Sequence, residues 1–539
     1  MLAITSFLFF TALVAYISWW YTRHDALDTS TGYYLAGRSL TWVVVGGSLL
    51  LTNLSTEQLV GLNGGAFKDG METMAWELGA AVAMVVMAIV CLPIYLRCGI
   101  TTIPEFLERR YNKPTRGLVS LIILIAVSIS VLPFVLYSGA LFMRDVFELP
   151  RILHVSNELA LWITVAAIGI VGGIYAIFGG LRAVAISDTL NGVGLLVAGL
   201  LIPILGLRAL GEGDIWAGVT RLQQDDPSRL NPIGDASSSL PVGTLFTGVA
   251  LLHLYYWCTN QFIVQRAFAS QSLQQGQKGV MFAAVMKLLG PFYLILPGVI
   301  AYHLFRDQID PEGNSAYGTL VRQLLPKPLL GFFAAAIFGA ILSSFNSALN
   351  SCATLFSVDL YKGFMRPQAT DHEMVRVGKL FGTVLAIGVI IGACMITSGE
   401  ALFQQMKSIA ATFDIPVMVI VFVGILSKRT RPGAVWAALL VGVLFYATIT
   451  FGFENKLTWN TATGPQVYEI HWLHVAGLNF LLMMSVIGAF RVIAPLPTPF
   501  VLEDTNQVDT TPWPLARPLG AFVLCSVAAI YALLWMAAR

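Results

Sequence analysis

Runs of Leu, Val, Ile, Ala, Phe and Gly recur along the chain between short polar stretches. At about 20 apolar residues per membrane span they predict an all-α integral membrane protein with about fourteen spans: 2-21, 42-65, 76-96, 116-143, 158-178, 183-207, 242-265, 279-303, 329-361, 374-397, 401-427, 432-452, 471-490 and 518-537. The second of these is interrupted. Between Trp42 and Leu62 it carries Thr52-Asn53-Leu54-Ser55-Thr56-Glu57-Gln58, polar side chains that are costly in hydrocarbon. The span is therefore expected to be broken, with its polar middle facing a cavity inside the protein, because non-helical backbone at membrane depth needs a cover of protein or water. Carbonyls freed by such a break can hold a cation or a polar solute.

Five segments later, 242-265 carries His253, Tyr255, Tyr256, Trp257, Thr259, Asn260 and Gln261 at mid-membrane. Two interrupted spans at that separation predict two inverted five-helix repeats, 42-207 and 242-427. One extra helix, 2-21, precedes them and three, 432-537, follow. The whole chain, 1-539, reads as a single transmembrane domain.

Composition sharpens this picture. Of the 539 residues 56% are hydrophobic and 12% charged, half the share of about 25% usual in soluble domains, so the apolar runs belong in lipid. A net charge of +2 with no basic patch argues against nucleic acid. No GxxxxGK[ST] or GxGxxG loop is present, which argues against nucleotide drive. Energy must come from an ion gradient or from the solute. Glu77 with His253 is the only pair suggesting catalysis, so an enzyme is not expected. Cys91, Cys98, Cys258, Cys352, Cys394 and Cys525 lie in or beside apolar segments without CxxC spacing and read as buried thiols. Glu469, His471 and His474 sit with Tyr468 and Trp472 in an interfacial belt rather than a metal site.

Lys287 and Lys407 lie inside spans. The other basic residues divide into 19 on one side, Arg266 among them, and 11 on the other. By the positive-inside rule both termini face outward from the inner membrane.

Deep polar residues are the candidates for chemistry. Gln58, Glu77, His253, Asn260, Lys287 and Lys407 offer donors and acceptors in fixed places, as a polyhydroxylated solute requires. Lys287 lies nine residues beyond Lys278, roughly 14 Å into its span. Lys407 and Asp414 read as a structural pair. Ser343, Asn346, Ser347 and Asn350, spaced i, i+3, i+4 and i+7, share one helical face, which suits either close helix packing or a polar site.

The motifs TGYYLAGRSLTW and GGSLLLTNLSTEQLVGLNGGAFKDG, with Ile103-Pro104-Glu105-Phe106-Leu107-Glu108-Arg109-Arg110-Tyr111, Tyr175-Ala176-Ile177-Phe178-Gly179-Gly180-Leu181-Arg182-Ala183 and Tyr255-Tyr256-Trp257-Cys258-Thr259-Asn260-Gln261, resemble the sodium:solute symporter family. The likeness covers roughly residues 30 to 430 and is nearest the sugar-transporting branch. It implies sodium-coupled uptake by alternating access, with sodium held by the Ser343 and Ser344 hydroxyls and the Leu51, Leu54 and Ala340 carbonyls. It also implies a possible second sodium at Asp188, Ser343, Asn346 and Ser347, where Asn346 replaces a smaller residue. Asn53, Gln58, Glu77 and Lys287 match sugar-contacting or gate-supporting positions. Tyr256 matches an inner gate, and Leu62, Trp76 and Phe403 an outer one. Three departures stand out: His253 where the galactose pattern has Asn, Ala80 where it has Ser, and Lys407 where it has Gln. They keep open an alternative to a neutral sugar, a sugar acid, amino acid or other carboxylate; from another class, a membrane sensor of the same fold is a further alternative.

Overall fold

A computed structural model describes residues 2–24, 28–396, 402–461 and 464–539, with backbone alone at 56, 57, 178, 402–405, 459–461, 464 and 465. Eleven of the described helices are long and apolar enough to cross a membrane, and a twelfth span forms if Leu273–Lys287 and Pro291–Gln308, bent by 49°, count together. The two interrupted spans are each split into shorter helices, Trp42–Asn53 with Thr56–Asp69 and Gly248–Cys258 with Gln261–Phe268.

The first break is made by backbone bonds that skip the helical pattern. Leu54 leaves the helix at φ −78°, ψ 58°, and Ser55 is extended. The Ser55 amide donates to Asn53 O (2.8 Å) and the Gln58 amide to Ser55 O (3.1 Å). In a continuous helix those two amides would bond Leu51 and Leu54, so both carbonyls lose their usual donors. At the second break Asn260 caps the helix that follows, its side chain accepting from the Phe262 amide at 3.3 Å.

The expected spans 158-178 and 183-207 instead form a hinged pair within Asn157–Leu210, turning at Gly180 (φ 63°, ψ 177°). A side chain tolerates that backbone poorly. The second half of this pair and Leu273–Lys287 flank Trp42–Asn53. Glycine allows the approach: a Cβ on Gly46 would stand 2.8 Å from the Gly279 carbonyl. Lys327–Thr354 runs through the centre with nearly every side chain from Ala334 onward buried, whereas Leu2–Thr22 and Ala516–Ala537 are largely exposed, as lipid-facing helices are. Outside the helices, Lys456–Thr461 pairs antiparallel with Gly464–Glu469.

At one end of the bundle the fully buried Asp359 accepts from Arg116 (Nε, 2.7 Å) and Thr102 (Oγ1, 2.9 Å), while Arg116 also reaches Glu108 at 2.6 Å. Removing Asp359 would take away the buried partner of Arg116 and the acceptor of Thr102, leaving the partly exposed Glu108 as the carboxylate on Arg116, a loss of about 1–3 kcal/mol for the hydrogen bonds to charged groups. Asp359→Ala is therefore expected to lower the thermal midpoint of the purified protein below wild type; an unchanged midpoint would contradict this.

Candidate ion and solute site

The centre of the molecule is where Lys327–Thr354 crosses the first break. The Ser344 hydroxyl donates to Thr52 O at 2.9 Å, and the Ser343 hydroxyl lies 3.3 Å from Thr52 Oγ1. Ser343 and Ser344 are 2% and 3% exposed, and Leu51, Leu54 and Ala340 are fully buried. Ser343 and Ser344 thus reach Thr52, which lies between Leu51 and Leu54 along the broken span, and Ala340 lies one turn before Ser344 on the same helix. Hydroxyl and carbonyl oxygens are the donors a hard monovalent cation prefers, and here they add no charge of their own.

Of the four residues expected for a second sodium, Asp188, Ser343 and Ser347 lie near one another, with Arg266 between Asp188 and Ser347. Asp188 accepts from Ser48 (2.7 Å) and Thr52 (3.4 Å) and pairs with Arg266 at 3.4 Å. Arg266 also donates to Ser48 Oγ (2.7 Å), to Ser347 Oγ and to the Phe262 carbonyl. The sequence put Arg266 among the basic loop residues. The structure corrects that, burying it completely. The helix Gln261–Phe268 resumes after the break with all of its side chains buried, although the chain is exposed again by Gln271. Ser343 shares Thr52 Oγ1 with Asp188, and neither amide atom of the buried Asn346 has a partner among the described residues.

On the other side of the break lies a polar quartet. Lys287 Nζ donates to both carboxylate oxygens of Glu77 (2.9 and 2.8 Å) and to Asn53 Oδ1. Gln58 completes it in the amide orientation that satisfies its neighbours, with nitrogen 3.2 Å from Glu77 Oε1 and oxygen 3.0 Å from Asn53 Nδ2. None of the four is more than 7% exposed, so the conformation is closed around them. His253 packs edge-on to Trp76 at 5.7 Å, and its Nε2 has no partner among the described residues. A Cβ on Gly79 would overlap this ring. Lys407 Nζ stands 5.1 Å from the centre of the Tyr256 ring, with the charge of Asp414 close by and Asp414 against the Tyr255 hydroxyl.

The other expectations fare unevenly. Asn260 has its side-chain oxygen committed to a helix cap. Leu62 and Trp76 are buried and Tyr256 is half-buried, whereas the Phe403 side chain lies outside the described residues. His471 caps its own helix and His474 bonds Thr247 Oγ1 at 3.1 Å. Among the described residues no group of three or more His, Cys, Asp or Glu could hold a metal ion. Ser48 and Arg266 were missed, though the run Gln265-Arg266 closing the second broken span was a legible signal.

A membrane helix interrupted at mid-depth, hydroxyls of a crossing helix on the interruption, and charge-matched polar groups beside it define a gradient-driven carrier. A model of the Sodium:solute symporter family matches residues 33–442, and the chain belongs to that family. It is 41% identical over 532 residues to the "Uncharacterized symporter YidK" of Escherichia coli (strain K12), covering 98% of this chain and 90% of that one. It is 30% identical to the sodium/glucose cotransporter of Vibrio parahaemolyticus (83% and 84% covered) and 31% identical to sodium/myo-inositol cotransporter 2 of Mus musculus (89% and 75%). Among solved structures, the substrate-bound outward-open state of a Na+-coupled sialic acid symporter superposes with TM-score 0.74 at 17% identity, covering 93% of this chain and 99% of that one. Mhp1, a nucleobase-cation-symport-1 family transporter, superposes at 0.56 and 13%, covering 88% and 97%. The protein is a multi-pass membrane transporter that couples sodium to the movement of a solute.

Glu77 and Lys287 should behave as one unit. Lys287→Ala leaves a buried carboxylate unmatched and is expected to cost about 3–5 kcal/mol. Glu77→Ala with Lys287→Ala should be less destabilised than Lys287→Ala alone, as measured by unfolding of the purified proteins; losses that simply add would contradict the pairing.

Proposed function

We propose that the solute is neutral and polyhydroxylated, a hexose or cyclic polyol, carried inward with sodium across an inner membrane. The observation that carries this reading is the charge balance of the quartet and its surroundings. Glu77 is matched by Lys287, and Lys407 Nζ is engaged over the Tyr256 ring, with Asp414 within electrostatic reach. A carboxylate solute would need a cation not already matched. Hydroxyl groups need what Asn53, Gln58, Glu77, His253 and Lys287 offer, namely several fixed donors and acceptors, and an aromatic face such as Tyr256 suits a ring. The named glucose and myo-inositol carriers among the relatives support the same class.

In this reading sodium binds the Leu51, Leu54 and Ala340 carbonyls and the Ser343 and Ser344 hydroxyls, bridging the broken span to Lys327–Thr354. Solute then binds the quartet, with Tyr256 on the inner side and Leu62, Trp76 and Phe403 on the outer. Fourteen spans arranged as two inverted repeats, 42-207 and 242-427, with both termini outside, are the architecture this cycle uses; the two split helices at matching places support it. The membrane potential contributes about 2.3 kcal/mol per sodium charge per 100 mV, enough for roughly fortyfold accumulation of a neutral solute at 1.4 kcal/mol per tenfold.

Uptake into proteoliposomes of labelled glucose, myo-inositol, a sugar acid and small amino acids, with choline replacing sodium in parallel, tests the substrate class. Sodium-dependent uptake of a neutral hexose or polyol is expected, and uptake of the acidic solutes alone would overturn the reading. Ser343→Ala and Ser344→Ala should each weaken apparent sodium affinity at least about tenfold, roughly 1.4 kcal/mol; unchanged sodium dependence would contradict the ion assignment.

A further inference from the structure

We propose that the protein holds an anionic phospholipid, with one acyl chain in an apolar groove beside Leu2–Thr22 and the phosphate against Arg151 and Arg322. The groove lies between Leu2–Thr22, Leu132–Val146 with the short helix Leu149–Leu153 that follows, the first half of Asn157–Leu210, and Lys327–Thr354. Phe7, Phe147, Ile152, Ile168, Val171 and Phe338 line it, and its volume is about 300 Å³. The rings of Phe147 and Phe338 each meet Phe7 edge-on at 5.5 Å. Thr164 is the one polar side chain in the lining, and its hydroxyl is committed to the Ala160 carbonyl at 2.7 Å. Such a surface gains by taking up hydrocarbon and offers a headgroup nothing.

Depth identifies the occupant. Thr164 to Val171 lie roughly 10 to 21 Å along their helix from Asn157, and Phe338 roughly 17 Å from Lys327. The hydrocarbon core is about 30 Å thick, so the groove runs from one membrane face to about mid-depth, the reach of a single acyl chain. Its outer end is charged. Leu149 and Ile152 of the short helix line the groove, while Pro150 and Arg151 line a second cavity of about 410 Å³. There Arg151 and Arg322 share one carboxylate, Glu148, at 3.8 and 3.3 Å, and Arg144 has Asp145 at 2.8 Å. Three arginines against two carboxylates leave that lining one positive charge in excess. Glu158, Asp310 and Glu312 stand in the neighbouring cleft, where Glu312 pairs with Lys68 and Asp310 accepts from the Asn314 and Ser315 amides. Arg151 is 86% exposed, and its long stem lets the guanidinium swing from Glu148 to a phosphate at the mouth of the groove. A zwitterionic headgroup would bring its own cation to the arginines, so the charge favours a lipid with net negative charge. Lipid in this groove would brace Leu2–Thr22 against the helix that carries Ser343 and Ser344.

Native mass spectrometry of the purified, delipidated protein, titrated with dioleoyl phosphatidylglycerol or dioleoyl phosphatidylcholine, tests this without reference to the transported solute. Phosphatidylglycerol is expected to be retained more tightly, by about fivefold for each arginine it meets, and Arg151→Gln is expected to lower that preference by about the same factor. Ala167→Trp, which places an indole in the groove, should carry one lipid of either kind fewer than wild type. Equal retention of the two lipids by wild type, or a preference unchanged in Arg151→Gln, would overturn the proposal. Wild-type retention in a folded Ala167→Trp protein would also overturn it. Arg151 is exposed and its variant is expected to fold, so the test stays decisive if Ala167→Trp does not. Glycerol 3-phosphate separates the headgroup from a free phosphate: a thermal midpoint raised by phosphatidylglycerol alone supports the lipid, whereas an equal rise with glycerol 3-phosphate would assign the arginines to a soluble anion and overturn it. A dimer of the delipidated wild type that Ala167→Trp disperses would give the groove to a second copy of the chain and overturn it as well.

Discussion

A charge buried in the core of a membrane protein must find its opposite. Desolvating a lone carboxylate or ammonium costs several kcal/mol or more, and breaking a buried pair is strongly destabilising. Two fully buried ion pairs flank the broken span here, Glu77 with Lys287 and Asp188 with Arg266. Each joins helices far apart in sequence, so the pairs fix where Ala75–Val86, Leu273–Lys287, Gln261–Phe268 and the Asn157–Leu210 pair stand around the break. The polar residues of the break then face groups that satisfy them.

The break turns that constraint into function. Backbone bonds diverted by Ser55 and Gln58 release the Leu51 and Leu54 carbonyls, and the Ser344 hydroxyl already reaches the intervening Thr52 carbonyl. An ion bound there would be shared by two helices that have few other polar links, so its arrival can bias how they sit together. Asn53 and Gln58, on the same short stretch, belong to the quartet with Glu77 and Lys287. With ion and solute at the proposed sites, only a few residues of backbone would separate them, which gives linkage between the sites a direct physical route.

Much of this was legible in the sequence. Polar residues at 52–58 inside an apolar run announced the break, and the depth of Lys287 demanded an acid, which Glu77 provides. The family resemblance supplied the expected ion ligands, of which Ser343 and Ser344 reach Thr52 at the break. Arg266 escaped because a position-counting argument puts a basic residue after an apolar segment into a loop, although the polar run Gln265-Arg266 on the second broken span was a signal of the burial the structure shows. Asn260 was expected at the solute site from its type and depth; a helix restarts there and its side-chain oxygen accepts the capping amide, which leaves its amide nitrogen outside the cap. The hinge at Gly180, which replaces an expected loop by a turn of one residue, depends on a backbone angle that the pattern of apolar positions does not encode.

The central claim is that sodium at the break and solute at the quartet are one linked system. Calorimetric titration of the purified protein with myo-inositol or glucose at increasing sodium, with choline keeping ionic strength constant, tests it most directly. The account requires solute affinity to rise with sodium concentration, and sodium affinity to rise by the same factor when solute is present. Solute binding of equal strength in sodium and in choline would contradict it.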